Sequence, residues 1–382
     1  MLLYQASAVI FIYLIWRLVR PLSAARRTKL VLALAVLAIA PLPAYQRIFW
    51  GRPGAAELPL PVLVAANWLF FTLAFLCALL MARDFILLAL RLAGRPGDKI
   101  RRAGASRAGA LALTALAGVI AACGLWQGVK TPEVRYLEAA APSLPPGLDG
   151  LTLVQISDLH ASPMLKGPRV RRIVEKTNAL KPDIIVLTGD MVDGPVERRA
   201  EDVAPLADLK AALGVFACVG NHEYYSGFDR WLAAFESLGL NVLLNRHVVL
   251  EKNGARLILA GITDRAARGR GKPYPDAVAA FDGAPDGLVK ILLAHRPTQV
   301  AAEQLAGVDL QLSGHTHGGQ LFFVGWKGRE LGGGYLSGWH EIGERRMYVS
   351  TGAGLWNGFP IRLGVPSEIV CLKLRAGSPP LP

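Results

Sequence analysis

Five apolar, strand-like runs in the C-terminal two thirds of the chain each end directly before a polar cluster. They cover residues 151–157, 183–188, 215–219, 290–294 and 310–313. The clusters that follow are rich in Asp, Asn and His and contain no Cys. Open α/β sheets bind ligands just outside the carboxyl ends of their strands. The pattern therefore predicts an α/β domain whose functional site lies along that edge of a sheet.

Helix-like stretches alternate with the first three of these runs, at residues 170–180, 201–213 and 228–238. Continuous apolar strands between helices are typical of a sheet that is buried on both faces. From residue 241 onward, short strand-like segments dominate. We therefore predict a layered α/β sandwich for residues 151–382.

The side chains at the strand ends are suitable metal ligands. They are Asp158, His160, Asp190, Asp193, Asn221, His222, Glu223, His295, His315 and His317. Imidazole, carboxylate and amide oxygen without thiolate favour manganese, iron or zinc. The set exceeds one coordination shell, so we expect two divalent ions. In this arrangement Asp190 would bridge ions about 4 Å apart, a spacing suited to phosphoryl displacement.

Five motifs occur in order along the chain: SDLH, GDMVD, GNHE, AHRP and GHTHGG. Together they resemble the calcineurin-like metallophosphoesterase superfamily over about residues 130–375, and in particular its bacterial membrane-attached branch. The resemblance implies a four-layer αββα sandwich. It also implies a binuclear phosphoric ester hydrolase that uses a metal-activated hydroxide.

The resemblance also implies roles for individual residues. The first metal would be held by Asp158, His160, Asp190 and His317. The second would be held by Asp190, Asn221, His295 and His315. His222 would not bind metal, but would stabilise the transition state or protonate the leaving oxygen. We expect Asp193 to hold its loop and Glu223 to orient His222, whereas Arg296 would either contact substrate phosphate or form an ion pair.

The N-terminal third has a different character. Residues 1–130 contain 15 Lys and Arg against 3 Asp and Glu, a net charge of +12, whereas residues 131–382 carry +1. This excess flanks apolar runs at 2–19, 30–45, 60–81 and 108–126. Because a spanning helix needs roughly 20 apolar residues, we predict about four transmembrane helices within residues 1–130. Residues 131–150 would then form a linker and entry segment before the domain at 151–382.

The charge distribution indicates membrane topology rather than a nucleic-acid partner. The first and third loops carry most of the basic residues: Arg17, Arg20, Arg26, Arg27 and Lys29, then Arg83, Arg91, Arg95, Lys99, Arg101, Arg102 and Arg107. The second loop carries only Arg47 and Arg52. The positive-inside rule places the first and third loops in the cytoplasm. We therefore predict a multi-pass protein of the cytoplasmic membrane whose catalytic domain is extracytoplasmic.

The leading hypothesis is a membrane-anchored enzyme that hydrolyses a phosphodiester or pyrophosphate, with a lipid-linked substrate suggested by the anchor. One alternative is an enzyme similar to UDP-diacylglucosamine pyrophosphatases of lipid A metabolism, whose substrate is made on the cytoplasmic side. Another is a non-catalytic metal-binding sensory module. The presence of His222, which such a module does not need, favours the enzyme. Metal identity, substrate and oligomeric state stay open at this point.

Overall fold

A computed structural model describes residues 2–51, 54–94, 96–97, 100, 106–141, 143–343 and 345–377. The chain divides into two compact units, Met1–Trp126 with Gly358–Ile361, and Gln127–Asn357 with Arg362–Pro382. Of the basic residues used above for topology, Arg52, Arg95, Lys99, Arg101 and Arg102 lie outside the described part.

The N-terminal part is helical. Its helices are α1 (Leu2–Leu14, continued by a π-helical turn at Ile15–Val19), α2 (Arg26–Ile39), α3 (Leu42–Trp50), α4 (Leu60–Leu92) and α5 (Arg107–Val129). Two of them, α4 with 33 residues and α5 with 23, are long and apolar enough to cross a membrane.

The described helices therefore provide fewer spans than the four expected. Helices α2 and α3 would add a third only if they formed a single span across their 44° bend. Pro41 precedes α3 and Pro43 lies in its first turn, which explains the break, because proline lacks the amide proton that a continuous helix needs. The first apolar run gives only a shorter apolar helix, Ser7–Val19.

The sequence analysis assigned no role to Asp84, an acidic residue in α4. Asp84 forms an ion pair with Arg17 and another with Arg83, whose Nη2 lies 2.9 Å from the carboxylate. The hydroxyl of Tyr13 donates a hydrogen bond of 2.5 Å to the same side chain. Charged groups near an apolar phase are stable only when they are paired in this way.

The second unit contains two six-stranded sheets. The first sheet has the order β1-β12-β2-β3-β4-β5. Its strands are β1 (Glu133–Ala141), β2 (Thr152–Ile156), β3 (Ile184–Thr188), β4 (Val215–Cys218), β5 (Asn241–Val242) and β12 (Glu368–Ala376). Strands β2 to β5 are parallel, whereas β12 runs antiparallel to β2 and parallel to β1.

The second sheet has the order β10-β11-β9-β8-β7-β6. Its strands are β6 (Arg246–Lys252), β7 (Ala255–Gly261), β8 (Val289–Leu293), β9 (Leu310–Ser313), β10 (Gly338–Ile342) and β11 (Arg345–Val349). Strands β7, β8, β9 and β11 are parallel, and the two edge pairs are antiparallel hairpins.

Strand β3 shows how the layers form. Ile184 and Val186 belong to a core that both sheets share, whereas Ile185 and Leu187 belong to a core with the outer helices. Alternate side chains of a strand point to opposite faces, so burial on both faces requires the continuous apolar run seen in the sequence. The outer helices are α6 (Gly167–Ala179), α7 (Val196–Val203), α8 (Asn221–Ser226), α9 (Phe228–Ser237), α10 (Ala277–Phe281) and α11 (Gly325–Leu331). The predicted αββα sandwich is confirmed.

Residues 131–150 contain a strand where we expected a linker. Strand β1 pairs with β12 over nine residues, from Glu133 opposite Glu368 to Ala141 opposite Ala376. An edge strand has one partner and one partly solvated face, so its composition is mixed and lacks the apolar run of an interior strand. Tyr136, for example, is 71% exposed.

Candidate active site

The seven predicted ligands all follow the carboxyl ends of parallel strands. Asp158 and His160 follow β2, Asp190 follows β3, Asn221 begins α8 after β4, His295 follows β8, and His315 and His317 follow β9. Six of the seven side chains are buried and His315 is partly buried. The two sheets thus contribute to one site, as the strand-end pattern predicts.

The first cluster of candidate ligands contains Asp158, His160 and His317. The Nε2 atoms of His160 and His317 lie 3.1 Å apart, and His317 Nε2 lies 3.5 Å from Asp158 Oδ1. Asp190 Oδ2 is 3.8 Å from His160 Nε2. Two imidazole nitrogens and two carboxylates that converge in a buried space are stabilised by a cation between them. This donor set fits a divalent metal ion.

The second cluster contains Asp190, His295 and His315. His295 Nε2 lies 3.1 Å from Asp190 Oδ2 and 3.2 Å from His315 Nδ1. Because Asp190 Oδ2 also faces the first cluster, this single oxygen is shared by the two groups of candidate ligands. Asn221 lies beside this cluster, where its Oδ1 accepts a 2.9 Å hydrogen bond from Arg296.

Neighbouring oxygens favour the tautomers that metal binding needs. His295 Nδ1 lies 2.8 Å from the carbonyl oxygen of Thr188, so the ring proton belongs on Nδ1 and the Nε2 lone pair faces the cluster. His160 Nδ1 lies 3.2 Å from Asp193 Oδ2, which favours the same arrangement. Such outer partners orient ligands and fix their tautomer.

The backbone of the ligand turns is strained. Five predicted ligands have a positive φ: Asp158 (51°), His160 (47°), Asp190 (54°), His315 (71°) and His317 (50°). Each such conformation costs a non-glycine residue roughly 1–3 kcal/mol and persists only where the surrounding structure imposes it. Backbone strain of this kind concentrates at functional sites.

Two glycines allow the carboxylates to approach the backbone closely. A Cβ atom on Gly220 would lie 2.2 Å from Asp190 Oδ1, and one on Gly314 would lie 2.2 Å from Asp158 Oδ2. No side chain tolerates these separations, so the glycines of the GNHE and GHTHGG motifs are required by the ligand geometry.

A third cluster joins His160, Asp193 and His222. Asp193 contacts His222 Nδ1 through one oxygen and approaches His160 through the other. Burial alone would lower the pKa of His222, but Asp190 and Asp193 raise that pKa to about 9. The opposite ring atom, Nε2, lies 3.9 Å from Asp190 Oδ2. The ring of His222 therefore faces the ligand clusters, and Asp193 contacts two histidines rather than only its own loop.

Three further histidines of the site differ in the direction of their pKa shift. Burial and neighbouring positive groups hold the pKa values of His315 and His317 well below their usual range. Burial would also lower the pKa of His295, but Asp190 and Asp158 raise it to about 10. The site thus combines two imidazoles that are ready to bind metal with one that must release a proton to do so.

Glu223 has different partners from those expected. Its carboxylate accepts hydrogen bonds from the backbone amides of Met191 (2.7 Å), Asp190 (3.0 Å) and Gly220 (2.7 Å). The side chain therefore ties the loop after β3 to the loop after β4, rather than orienting the ring of His222.

Two arginines complete the surroundings. Arg296 Nε donates to Asp264 at 2.8 Å, which supports the predicted ion pair, while Arg296 Nη1 lies 2.9 Å from His315 Nε2. Sequence reasoning missed Arg362, which is fully buried and donates to the carbonyl oxygens of Thr351 and Gly354 at 2.7 and 2.9 Å. Its Nη2 also lies 3.3 Å from His317 Nδ1. In the sequence, Arg362 is marked only as a single charged residue within an apolar segment.

Comparison with known proteins agrees with this geometry. The sequence profile of the calcineurin-like phosphoesterases matches residues 151–319. A bovine transmembrane protein with metallophosphoesterase domain is 34% identical over 322 residues, covering 80% of this chain and 71% of that protein. This chain belongs to the calcineurin-like metallophosphoesterase family.

Relatives of this metallophosphoesterase occur in bacteria and in animals. An uncharacterized metallophosphoesterase of Campylobacter jejuni is 32% identical over 297 residues and covers 77% of each chain. The zebrafish transmembrane protein with metallophosphoesterase domain is 34% identical over 293 residues, which are 74% of this chain and 66% of that protein. The recognised family and the likeness to transmembrane proteins are therefore confirmed.

Proposed function

We propose that this metallophosphoesterase hydrolyses a phosphodiester or pyrophosphate bond with two divalent metal ions. The observation that supports this is the position of Asp190 Oδ2, which lies 3.8 Å from His160 Nε2 in one ligand cluster and 3.1 Å from His295 Nε2 in the other. One carboxylate oxygen shared by two ligand sets suits a pair of ions.

Each ion has its own proposed ligands. One set is Asp158, His160, Asp190 and His317, and the other is Asp190, Asn221, His295 and His315. The nitrogen and oxygen donors suit manganese, iron or zinc. When bound, such ions activate water and neutralise charge on the phosphoryl group.

His222 is the proposed proton donor to the leaving oxygen. Its Nδ1 is held by Asp193, and the carboxylates of Asp193 and Asp190 raise its pKa, which favours the protonated ring. A positioned acid with its proton directed at the reaction site is what departure of an alkoxide or phosphate requires. A purely metal-binding sensory module has no use for this pair, so the Asp193–His222 arrangement favours the enzyme.

Arg296 supplies a further positive group. Its guanidinium is fixed by Asp264 and directed at Asn221 and His315, two of the proposed ligands. A planar arginine in this position suits recognition of a non-bridging phosphate oxygen. We therefore assign Arg296 to substrate binding, with the ion pair to Asp264 as its support.

The proposed setting is the cytoplasmic membrane, in a multi-pass protein whose catalytic domain is extracytoplasmic. The helices α4 and α5 and the transmembrane relatives support the anchor. A lipid-linked substrate fits this anchor. An activity similar to that of UDP-diacylglucosamine pyrophosphatases is the alternative, and it would require the domain to face the cytoplasm.

The test is metal-dependent hydrolysis by the full-length protein. The chain is stripped with a chelator, reloaded with manganese, zinc or iron, and assayed with bis-p-nitrophenyl phosphate and p-nitrophenyl phosphate. We expect two ions per chain, turnover only in the reloaded enzyme, and preference for the diester. Asp190→Asn should lose both metal and turnover, whereas exposed Asp282→Asn should keep both. A folded protein that binds two ions but hydrolyses neither compound would overturn the proposal.

A further inference from the structure

Large apolar side chains are exposed immediately after the last metal-ligand turn. We define the interfacial segment as residues 322–331, which include helix α11. Within it, Phe322 is 71% exposed, Phe323 52%, Trp326 67% and Leu331 54%. Single exposed apolar residues are ordinary on soluble proteins, but a contiguous group usually marks an interaction surface.

The interfacial segment is built directly onto the metal site. A Cβ atom on Gly319 would lie 2.9 Å from Gly325 Cα, and one on Gly328 would lie 2.8 Å from Gly319 N. Helix α11 therefore packs against the turn His317–Gly319. Gly319 is two residues from the ligand His317, so a molecule held by this segment lies close to the ligand clusters.

Both ends of the segment are fixed. The amide of Phe322 donates to the carbonyl oxygen of Leu363 at 3.0 Å, next to the buried side chain of Leu321. Beyond the segment, the hydroxyl of Thr316 hydrogen-bonds the carbonyl oxygen of Leu336. The aromatic side chains are therefore presented outward from a fixed support.

The composition of the segment favours a lipid bilayer as its partner. Trp and Phe are accompanied by Lys327, Arg329 and Glu330, which give the segment a net charge of +1. Lys327 Nζ lies 5.8 Å from the centre of the Trp326 ring and 2.7 Å from Glu330 Oε2. Tryptophan prefers the headgroup level of a bilayer, and lysine and arginine beside it attract anionic lipid.

The short connection between the spanning helices and the catalytic domain also favours the bilayer as the partner. Helices α4 and α5 are of spanning length, and β1 begins at Glu133, four residues after α5 ends at Val129. The catalytic domain is thus attached to the bilayer by a very short stretch of chain, and a membrane is a more constant neighbour than any soluble protein.

We propose that residues 322–331 dock into the bilayer interface and that the site acts on a phosphoester whose apolar tail stays in the membrane. The exposed aromatic side chains cover the tail, and the turn that they flank holds the metal ligands. This inference rests on the proposed phosphoesterase function and names its substrate class as a membrane-borne amphiphile.

Docking is measured without reference to catalysis. Full-length protein in nanodiscs of phosphatidylcholine and phosphatidylglycerol carries a spin label at Phe323→Cys or, as control, at Tyr136→Cys on exposed strand β1. Cys123, the one exposed cysteine of the described residues, is replaced by serine. Oxygen concentrates in the bilayer, whereas a water-soluble nickel complex stays outside it. We expect oxygen to relax the label at position 323 several-fold more than the nickel complex does. At position 136 we expect the nickel complex to relax the label more than oxygen does.

Two results would overturn the docking surface. Relaxation by nickel at 323 as strong as at 136 would place the segment in water. Protection at 323 from both oxygen and nickel would indicate a protein contact, either with a partner or with a second copy.

Substrate class is tested with paired variants of the full-length enzyme. Phe322→Ser with Trp326→Ser should reduce hydrolysis of a fluorescent phosphodiester amphiphile in vesicles at least tenfold, and hydrolysis of bis-p-nitrophenyl phosphate less than twofold. Tyr136→Ser should change neither rate. An equal loss with both substrates would overturn the amphiphile assignment. Absence of turnover in the unmodified enzyme, with label 323 in the bilayer, would instead overturn the proposed function.

Discussion

At the scale of single residues, the carboxylate of Asp193 contacts two histidines with different proposed roles, one in metal binding and one in proton transfer. Asp193 approaches the Nδ1 atom of His160, which is a proposed ligand, and contacts the Nδ1 atom of His222, which is the proposed acid. The hydrogen-bonded ring of His222 is held with its Nε2 toward Asp190, the proposed bridging ligand. In the proposed mechanism, metal binding and proton transfer therefore share one supporting side chain, although the two histidines lie 62 positions apart in sequence.

Replacement of His222 by alanine should impair proton transfer without affecting metal binding. We expect His222→Ala to lower kcat on bis-p-nitrophenyl phosphate by about 10²–10⁴, the usual contribution of a positioned acid. Metal content should stay at the unmodified level, because neither proposed ligand set contains His222. Metal analysis and steady-state kinetics on the same sample measure both quantities.

The matched control is His247→Ala, because the ring of His247 contacts the carbonyl oxygen of Ala280 and belongs to no ligand cluster. Its kcat should be unchanged. If His222→Ala kept full activity, the assigned role would be wrong, and if it lost metal, His222 would be acting as a ligand.

At the scale of elements, short helix α8 joins two strand ends. Asn221 begins this helix, and Glu223 in its first turn reaches back to the amide of Gly220. The same carboxylate holds the amides of Asp190 and Met191 after β3. A buried carboxylate that satisfies three amide protons fixes the separation of the loops that carry Asp190 and Asn221.

Glu223→Gln should loosen this connection. The amide group of glutamine would face at least one backbone N–H, which removes a hydrogen bond and leaves a buried donor unpaired. We expect the free energy of unfolding to fall by about 1–3 kcal/mol and metal affinity to fall about 10–100-fold. Denaturant titration and competition with a metal-binding dye measure the two effects.

Glu175→Gln provides the control, because Glu175 lies on the exposed face of α6 and the substitution is chemically identical. Unfolding and metal affinity should stay unchanged there. Equal metal affinity in Glu223→Gln and the unmodified protein would show that the ligand loops do not depend on this carboxylate.

At the scale of the whole molecule, the side of the membrane is decided by the connection between α4 and α5. The basic residues around it include Arg83 and Arg91 in α4 and Arg107 at the start of α5. If this connection is cytoplasmic, α5 leads outward whatever the number of preceding spans. With two spans, as with the four expected, the N-terminus would lie outside the cytoplasm, and with three it would lie inside. The predicted side of the catalytic domain is the same in each case.

Reporter fusions test this orientation. Alkaline phosphatase, which folds only outside the cytoplasm, should be active when joined after the last residue, whereas green fluorescent protein exported there in unfolded form should be dark. Both reporters joined within the α4–α5 connection should give the opposite pattern. Fluorescence at the C-terminus would place the domain in the cytoplasm and favour the alternative nucleotide-lipid pyrophosphatase activity.

The sequence by itself determined the layered fold and the set of candidate ligands. In a parallel sheet each interior strand must be apolar on both faces, and each ligand follows its strand directly, so both signals are local along the chain. Strand β3 with Asp190 and strand β9 with His315 are examples. Residues that neighbour one another in sequence were enough to place them.

Only the tertiary structure decided which side chains meet across the sheets. Glu223 holds the amides of Asp190 and Met191 on another loop, and Arg362 lies beside His317, 45 positions away in the chain. No sequence spacing records such contacts. The sequence analysis did not predict strand β1, because an edge strand needs only one apolar face. It predicted too many membrane spans, because proline interrupts one of the apolar helices. A strand and the ligand that follows it are neighbours in the sequence, so a local pattern predicts both. The long-range contacts join residues far apart in the sequence and form only when the chain folds.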